Sequence, residues 1–564
     1  MSGQNVFFSD VLVLGSGFAG LRAASAAARM GASVTIVEKG PRATPDILGF
    51  NVAVEKDDSL DAYESDLQKS SQSISNRDLE KLLVANARNE LDFLEEVGLI
   101  FDKKPNGEYD VLHTLGSTYP RLVHYKAMTG IEGSKLMARD CKDHGAKFHQ
   151  FIFIHKLIRT NGEIAGAIGV DMRSGEFKTF VGKAIVLATG GCGAIYDLTT
   201  YPKGITGDGF ALAYDAGAEI IDMEFMQFEP CVFVYPEALK GKVIPTTLLR
   251  AGAQLRNGRN EDILSKYGLD RAAVQKYSLA RAMLGEIRSG NASPHGGVFY
   301  DVSMLPRKRV VEDHAIFYRP AFAAGIDLMK DPAEVMPAAH TALGGVRINA
   351  HCETSLPGLY AAGEVAGGFY GANRMGGSAG IETLVFGNIA GINAGKHARN
   401  IESSDCSAVL ESAKIEEAKL KILMHKDTTE ITITKLSGIQ EEIKKIMVSK
   451  VNLLKNRHEL EEANERIREL QRELATKKAG NTKDLIRLLE CGNMLKVALM
   501  IIESSLLRKE SRGAFYREDF PETDNSNWKG NIVIRNVAQE MDLRFEPVTE
   551  YASKSLLSSE LRRT

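Results

Sequence analysis

Short apolar runs that enter glycine-rich turns are the dominant pattern of this chain. Residues 11–14 (VLVL) run into GSGFAG and an alanine-rich helical stretch, residues 184–188 (AIVLA) run into TGG, and residues 357–362 (PGLYAA) run into GE. Apolar runs of this length, bounded by glycine, predict strands buried on both faces. Three such strand ends far apart in the chain predict one discontinuous nucleotide-binding domain of the α/β class.

The first of these turns has the spacing of a dinucleotide-binding fingerprint. Gly15 permits the turn, Gly17 lets the backbone approach a pyrophosphate, and Gly20 lets the helix pack on the strand. Glu38 follows the next predicted strand, close to the offset of about 20 residues expected for a carboxylate that binds a ribose. An acidic residue there favours NAD or FAD over NADP. The binding residues predicted for this unit are Gly15, Gly17, Phe18, Ala19, Gly20, Glu38 and Lys39.

The pattern changes several times further along the chain. Prolines and short helical runs interrupt the nucleotide-binding pattern in the middle, and an insertion at that point is typical of a lid over an active site. A later stretch combines helical periodicity with charges at i, i+4 spacing, which predicts a bundle of antiparallel helices. We predict a first nucleotide-binding part at 1–222, a capping lid of mixed α and β structure at 223–340, the second nucleotide-binding part at 341–405, a helical bundle at 406–515 and a small C-terminal domain at 516–564.

Composition excludes several classes of protein. A chain of 564 residues with a net charge of −3 has room for several domains and no basic surface typical of nucleic-acid binding. No apolar run reaches the roughly 18 residues that span a bilayer, so we expect a soluble cytoplasmic protein. The six cysteines form no CxxC pair, which argues against a metal site, an iron–sulfur cluster or a disulfide framework within the chain.

Two side chains in glycine-rich turns point to the chemistry. His340 lies in AAHTALGGVRIN and Arg374 in YGANRMGGSAG. A histidine and an arginine held in such turns indicate an anionic substrate placed against the cofactor.

The chain resembles the flavoprotein subunit of the succinate dehydrogenase/fumarate reductase family, which also contains L-aspartate oxidase and the adenylylsulfate reductase alpha subunit. Seven motifs in the family's order carry the resemblance over nearly the whole chain: VLGSGFAGLRAA, LATGG, ITGDG, IIDMEFMQFEP, HTALGG, GLYAAGEVAGGFYGANRMGG and SSLLRKESRGAFYREDFPETDNSNW. The resemblance implies a two-dinucleotide-binding-fold FAD domain with an inserted capping domain. It also implies a reaction that interconverts C=C and CH–CH next to a carboxylate, with hydride transfer at flavin N5 and proton transfer by an arginine.

Individual roles follow by resemblance. His340 and Arg374 match the family's carboxylate-binding pair, and Arg250, in PTTLLRAGAQLRN, matches its proton-shuttling arginine. Paired guanidinium donors suit a carboxylate, whereas an arginine with a pKa above 12 needs a desolvated, close position to move a proton. The further FAD-binding residues implied are Ala188, Thr189, Gly190, Gly191, Thr206, Asp208, Glu364 and Ser378.

The chain departs from the family on the opposite wall of the substrate site. Glu229 stands where the family has a histidine that helps to hold a dicarboxylate, and Thr247 replaces a glutamate of the TEGCRGEGG motif. Glu229 would repel a second carboxylate or pair with a cation. We therefore predict Glu229 and Thr247 as substrate-binding positions and leave the substrate open.

A further departure concerns the attachment of the flavin. Covalent members carry RSHT, and the matching stretch, residues 42–51, contains no histidine; the first histidine after it is His113. We predict non-covalent FAD.

Three other functions stay open. An L-aspartate oxidase-like enzyme could place a substrate ammonium at Glu229, an adenylylsulfate reductase-like enzyme would need a nucleotide-sized pocket, and an electron-relay subunit would have no active site. The resemblance also implies an iron–sulfur partner subunit, with or without a membrane anchor that would hold the chain at the inner face of the membrane.

Overall fold

A seven-stranded sheet forms the centre of the nucleotide-binding part. The structure is a computed structural model that describes residues 5–271, 273–401, 406–424 and 430–548. The first part contains, in chain order, β1 (Val6–Leu14), α1 (Phe18–Arg29), β2 (Val34–Glu38), β3 (Gly49–Asn51), α2 (Leu60–Ser70), α3 (Arg77–Glu96), β4 (Val111–Leu112), β5 (Leu122–His124), α4 (Thr129–Asp143), β6 (Lys147–Gln150), β7 (Ile152–Thr160), β8 (Glu163–Asp171), β9 (Phe177–Leu187), α5 (Asp208–Ala216) and β10 (Ile220–Ile221). The predicted strands at 11–14 and 184–187 are neighbours in this sheet and pair in parallel.

In the sheet order β6-β2-β1-β9-β8-β7, the central strands β6, β2, β1 and β9 pair in parallel, and this explains the continuous apolar run of β1, whereas β7 and β8 pair antiparallel. Parallel strands with helices on both faces have no solvated side, so both sets of alternating side chains are apolar. Val11, Leu12, Val13 and Leu14 are at most 1% exposed.

The lid is an antiparallel sheet with its own hydrophobic core. It contains β11 (Met226–Tyr235), α6 (Thr247–Arg250), β12 (Gln254–Arg256), α7 (Ile263–Lys266), α8 (Lys276–Arg288), β13 (Val298–Asp301), α9 (Ala315–Ala323) and β14 (Ala333–Ala342), with the strands in the order β11-β14-β13-β12. Its core consists of residues between 231 and 335. A unit with a separate core can move against its neighbour, as the lid hypothesis requires.

After the lid the chain returns to the first sheet. This part contains β15 (Gly345–Arg347), β16 (Leu359–Ala361), β17 (Ala366–Gly367) and α10 (Ser378–Arg399). β16 pairs in parallel with β9, so the late apolar run joins the same sheet as the first two, as the sequence predicts. α10 packs closely on α1 because Gly391 has no side chain: a Cβ there would lie 2.2 Å from the carbonyl oxygen of Ala23.

The helical region contains α11 (Ser407–Leu423), α12 (Glu430–Lys450), the short strand β18 (Leu454–Lys455), α13 (Arg457–Ala475) and α14 (Thr482–Leu507). α13 runs antiparallel to α12, since Arg466 contacts Glu442 at 2.6 Å and the earlier Glu462 contacts the later Lys450. It also runs antiparallel to α14, since Asn464 contacts Glu503 at 2.9 Å and the later Leu474 lies beside the earlier Gly492. Residues 425–429 lie outside the described part. None of the described helices is both long and apolar enough to cross a bilayer.

The C-terminal segment extends the nucleotide-binding part. It contains β19 (Tyr516–Arg517), β20 (Gly530–Val537) and β21 (Glu540–Pro547), and β20 pairs with β10 in a second sheet of order β17-β15-β10-β20-β21. The segment assigned from sequence to a small C-terminal domain thus shares a sheet with residues 220–221 and 345–347. Residues 549–564 lie outside the described part.

Candidate active site

The glycine-rich turn after β1 packs tightly against the end of β9 and the start of α1. Gly15 has a φ of +114°, and a Cβ there would lie 2.1 Å from the carbonyl oxygen of Ala188, at the end of β9. A Cβ on Gly20 would lie 2.0 Å from the carbonyl oxygen of Gly15. The turn therefore tolerates only glycine at these positions, and Gly17 precedes the first turn of α1, where Phe18 and Ala19 lie. The positive end of a helix dipole suits a phosphate; the Phe18 amide at this end donates to the Thr44 hydroxyl at 3.2 Å.

Glu38 lies beside the same turn. It ends β2, and its carboxylate accepts hydrogen bonds from the Ser16 hydroxyl and from Nε2 of Gln150, the latter at 2.5 Å. A half-buried carboxylate next to the glycine turn has the position expected for a partner of ribose hydroxyls.

A second polar group lies at the carboxyl end of β9. Thr189 to Gly191 follow this strand, and the Thr189 hydroxyl is buried without a hydrogen-bond partner in the described part of the chain. The Glu364 carboxylate accepts from the Tyr201 hydroxyl and, at 2.9 Å, from the backbone amide of Ala342. Burial raises the pKa of Glu364 to about 8. Such groups in a protein interior fit a polar cofactor that would complete their hydrogen bonds.

Lys39, Thr206 and Asp208 form a third group. The ammonium of Lys39 donates to the Thr206 hydroxyl at 3.1 Å and to Asp208 at 2.7 Å. It also forms an ion pair at 2.6 Å with Glu490 of α14. The structure thus brings these three predicted FAD-binding residues together, and it adds a connection to the helical bundle that the sequence did not indicate. Ser378, the last predicted cofactor residue, is buried at the start of α10.

The predicted substrate side contains a compact charged group. Glu229 on β11 is 3% exposed and contacts the ammonium of Lys276. Its Oε2 lies 3.7 Å from Nε2 of His340, whose Nδ1 is 2.9 Å from the Thr200 hydroxyl. Burial, with repulsion from Lys276 and Arg374, holds the pKa of His340 well below its usual value. His340 is therefore a neutral imidazole at physiological pH.

Local structure explains how these side chains meet. Glu229 and His340 lie on the paired strands β11 and β14, whose register shifts just after Glu229, where Pro230 interrupts regular pairing. Lys276 is the first residue of α8, where a cation faces the positive end of the helix dipole. The Glu229 carboxylate compensates that charge.

Arg374 is a buried guanidinium without an anionic partner among the described residues. Its side chain is nearly buried, one terminal nitrogen donates to the carbonyl oxygen of Met375 at 3.4 Å, and Nε has no partner within the described chain. Gln227 fixes the backbone by donating to the Arg374 carbonyl oxygen at 2.9 Å. A buried cation with free donors is suited to an anionic ligand.

Arg250 lies apart from this group. Its side chain is exposed at the end of α6 and lines a cavity of about 380 Å³ between the lid and the FAD-binding part, together with Lys69, Gln275 and Asn373. Gln275 and Asn373 are the sequence neighbours of Lys276 and Arg374, which are not themselves among the residues that line the cavity. Thr247, at the start of α6, is half-buried and is not among the residues that line the cavity.

Sequence reasoning missed two residues of this region. Lys276 was not singled out because a lysine in a predicted lid has the same appearance as a surface lysine. Tyr201 was missed because only folding brings its hydroxyl to Glu364. The run of polar and aromatic residues at 199–201, shortly after the TGG turn, is the one signal that could have indicated Tyr201.

Taken together, the discontinuous nucleotide-binding sheet, the glycine turn, the lid and the buried arginine and histidine define a flavin-dependent oxidoreductase. Comparison with known proteins gives the same result. Residues 10–379 match the family model of an FAD-binding domain, and residues 440–558 match that of the fumarate reductase flavoprotein C-terminal region.

Individual relatives match along almost their entire length. The chain is 34% identical over 543 residues to a subunit of the CoM/CoB fumarate reductase of Methanothermobacter marburgensis, covering 94% of this chain and 98% of that protein. It is 29% identical over 547 residues to an L-aspartate oxidase of Yersinia pestis, covering 93% and 98%. A solved structure of a variant of the Escherichia coli quinol fumarate reductase superposes with a TM-score of 0.90 at 26% identity, covering 96% and 97%.

The chain belongs to the succinate dehydrogenase/fumarate reductase flavoprotein family. It is an FAD-dependent oxidoreductase that acts on CH–CH groups. The fold class, the cofactor and the family predicted from sequence are confirmed.

Proposed function

We propose that the protein interconverts a C=C and a CH–CH bond next to a carboxylate, with Arg374 as the main carboxylate-binding group. The observation that supports this most is the buried guanidinium of Arg374, which has no anionic partner among the described residues. Bound FAD supplies the acceptor or donor of the hydride. The protein supplies the position of the substrate and the route of the proton.

The FAD is expected to lie along three groups of residues. The glycine turn at Gly15–Gly20 would hold its pyrophosphate, Glu38 would bind its adenosine ribose, and Glu364 would bind its ribityl chain. The Thr189 hydroxyl, buried without a partner among the described residues, belongs to the same turn as Gly191, whose backbone amide contacts Glu364. Because the stretch at 42–51 offers no histidine, we propose that the flavin is held without a covalent bond.

Arg374 and His340 share the substrate carboxylate in this proposal. Arg374 can offer two parallel N–H donors, which match the two oxygens of a carboxylate. His340 is neutral, so it adds an N–H donor without a second full charge. A neutral donor orients the carboxylate while the arginine provides most of the attraction.

Two cations compete for the role of proton carrier. Arg250 has this role by resemblance, but its side chain is exposed and the guanidinium releases a proton only at very high pH. Lys276 has an ammonium that is largely buried against Glu229, and lysine exchanges protons more readily than arginine. We propose Lys276 as the proton carrier, with Glu229 as its neighbouring acceptor, and Arg250 as a residue of the cavity mouth.

Substitution of Arg374 tests the carboxylate site. Arg374→Ala should lower turnover of an unsaturated acid by more than tenfold, since it removes a group that binds the reacting substrate. Arg374→Lys keeps the charge but loses the paired donors, so we expect partial activity. The matched control is Arg259→Ala, an exposed arginine of the lid. A loss of less than tenfold in Arg374→Ala would remove the main support for the proposal.

An L-aspartate oxidase-like reaction is the second candidate, since Glu229 could bind a substrate ammonium. Lys276 already neutralises Glu229, so this reaction requires displacement of an ion pair. Reoxidation by air separates the two functions: an oxidase returns rapidly to oxidised flavin without a partner protein. An adenylylsulfate reductase-like function has only a similarity of fold in its favour. A relay protein without an active site is disfavoured by the retained Arg374, which has no anionic partner in the described chain.

We also propose that the chain works with an iron–sulfur protein. The Methanothermobacter relative is named as one subunit of an enzyme, and the family resemblance implies electron transfer through a partner, with or without a membrane anchor. Purification from the native source tests this, because an iron–sulfur protein should co-purify.

A further inference from the structure

Four side chains make up the predicted substrate side: Arg374, Lys276, Glu229 and His340. The charge of Arg374 also acts on two buried carboxyls, Glu364 and Glu382, but burial raises the pKa of each to about 8, so both are mainly protonated at neutral pH. Gln227, on the same strand as Glu229, donates to the Arg374 carbonyl oxygen. Burial and the charges of Lys276 and Arg374 lower the pKa of His340. Lys276 and Glu229 form an ion pair and cancel each other, and His340 is neutral. Of these four, Arg374 is left to balance an anionic substrate.

Glu229 is enclosed in this site. It is 3% exposed, it lies in the middle of β11, and its carboxylate has Lys276 on one side and His340 on the other. A second substrate carboxylate at this wall would face a pair whose charges already cancel, so it would lose its water without gaining a cation of its own.

The cations at the cavity mouth do not change the net charge of the predicted substrate side. Arg250 and Lys69 both line the cavity with side chains that reach solvent, so water screens their charge. Asp66, an acidic residue of the cavity lining, is held by Arg121 at 2.6 Å. Arg250 and Lys69 at the cavity attract anions of any kind. The Lys276–Glu229 pair determines whether the bound substrate carries one carboxylate or two.

We propose that the substrate is an α,β-unsaturated acid with one carboxylate and an uncharged far end, and that Glu229 is the residue that rejects a second carboxylate. This inference rests on the proposed function and narrows it. The carboxylate binds Arg374, and the far end lies against the Lys276–Glu229 pair, which accepts a neutral group without an uncompensated charge.

Matched ligands test the proposal by binding alone. Succinate and monomethyl succinate have the same carbon chain and differ by one charge, and the comparison needs only their binding to the oxidised holoprotein; oxidation of either acid would appear separately as loss of the flavin absorbance. Perturbation of flavin absorbance gives the two dissociation constants. We expect monomethyl succinate to bind at least tenfold more tightly. Equal binding, tighter binding of succinate, or binding of neither would overturn the proposal.

Variants then assign the effect to Glu229. Glu229→Gln removes the charge at nearly constant size and frees Lys276, so the ratio of the two dissociation constants should shift at least tenfold towards succinate. Glu237→Gln, which removes an exposed carboxylate from the same lid, should leave the ratio unchanged. An unchanged ratio in Glu229→Gln would overturn the role of this residue, and the wild-type ratio remains a test if that variant does not fold.

Turnover separates this inference from the proposed function. If the reduced holoprotein converts fumarate at least as well as monomethyl fumarate, the double-bond chemistry stands and the single-carboxylate rule is wrong. If it converts neither fumarate nor monomethyl fumarate although monomethyl succinate binds more tightly than succinate, the preference of the site for one carboxylate stands and the proposed reaction is wrong.

Discussion

Lys276, the first residue of the lid helix α8, places its ammonium against the carboxylate of Glu229 on strand β11. The contact joins two parts of the lid at the wall that faces His340. It gives the lid a cation at the substrate site although Arg250, the arginine assigned there from sequence, is exposed at the cavity mouth. The two lid cations therefore have different expected roles.

Substitution of each cation distinguishes these roles. Lys276→Gln should lower turnover of monomethyl fumarate about 100-fold or more, because proton transfer by a positioned group contributes roughly that much. Arg250→Gln should lower it less than tenfold, since it affects only entry. The measurement is the rate at which the acid reoxidises reduced flavin, with the dissociation constant of monomethyl succinate as a check that binding persists. The opposite order of effects would return the proton-transfer role to Arg250.

Replacement of a glycine in the turn after β1 by alanine should weaken the binding of FAD. Gly15→Ala places a Cβ against the Ala188 carbonyl at a backbone angle that side chains rarely adopt. We expect at least tenfold weaker FAD binding and a lower melting temperature. Gly40→Ala is the matched control, since a Cβ there meets no atom within 4 Å. Equal retention of FAD by the two variants would show that the turn does not hold the cofactor.

Attachment of the flavin is tested by acid precipitation of the holoprotein. Because residues 42–51 contain no histidine, the yellow colour should remain in the supernatant. Mass spectrometry of the precipitated protein should give the mass of the unmodified chain. Flavin fluorescence that stays with the precipitate would contradict non-covalent binding.

Lys455 predicts a pH dependence of stability outside the active site. It is buried in β18, and burial together with the charge of Arg517 lowers the pKa of Lys455 from 10.5 to about 7. Between these values the unfolded state carries a proton that the folded state lacks, so stability rises as pH increases from about 7 to 10.5 and is lost as pH falls through that window.

Lys455→Met removes this effect. The slope of its free energy of unfolding against pH should be smaller across that window. The reduction can reach about 1.4 kcal/mol per pH unit, which is the value for one proton. Denaturant titrations at several pH values measure the slope. Lys450→Met, at a partly exposed lysine that pairs with Glu462, should keep the wild-type slope. An unchanged slope in Lys455→Met would show that Lys455 stays charged in the folded protein.

Much of the fold could be predicted because its elements have local signatures. Strands such as Val6–Leu14 and Phe177–Leu187 contain apolar runs that lead to glycine turns, and the charged periodicity of Arg457–Ala475 is typical of a surface helix. The pairing of Gly530–Val537 with Ile220–Ile221 could not be predicted, because it joins segments about 310 residues apart and depends on how the domains meet.

The candidate site could be predicted only in part for the same reason. Arg374 and His340 lie in motifs that are recognisable in the sequence, and in the structure they are close enough for the charge of Arg374 to lower the pKa of His340. Lys276 reaches Glu229 through the orientation of α8, which no local pattern reveals. The sequence could show that Glu229 needs a cation or repels an anion, but only folding shows which cation it meets.

Anaerobic reaction of the photoreduced holoprotein with monomethyl fumarate tests the proposed double-bond chemistry most directly. We expect oxidised flavin to return in the absence of oxygen, one monomethyl succinate to form per flavin, and Arg374→Ala to react more than tenfold more slowly. Flavin that stays reduced with both monomethyl fumarate and fumarate, and that is reoxidised only when air is admitted, would contradict reduction of a C=C bond next to a carboxylate.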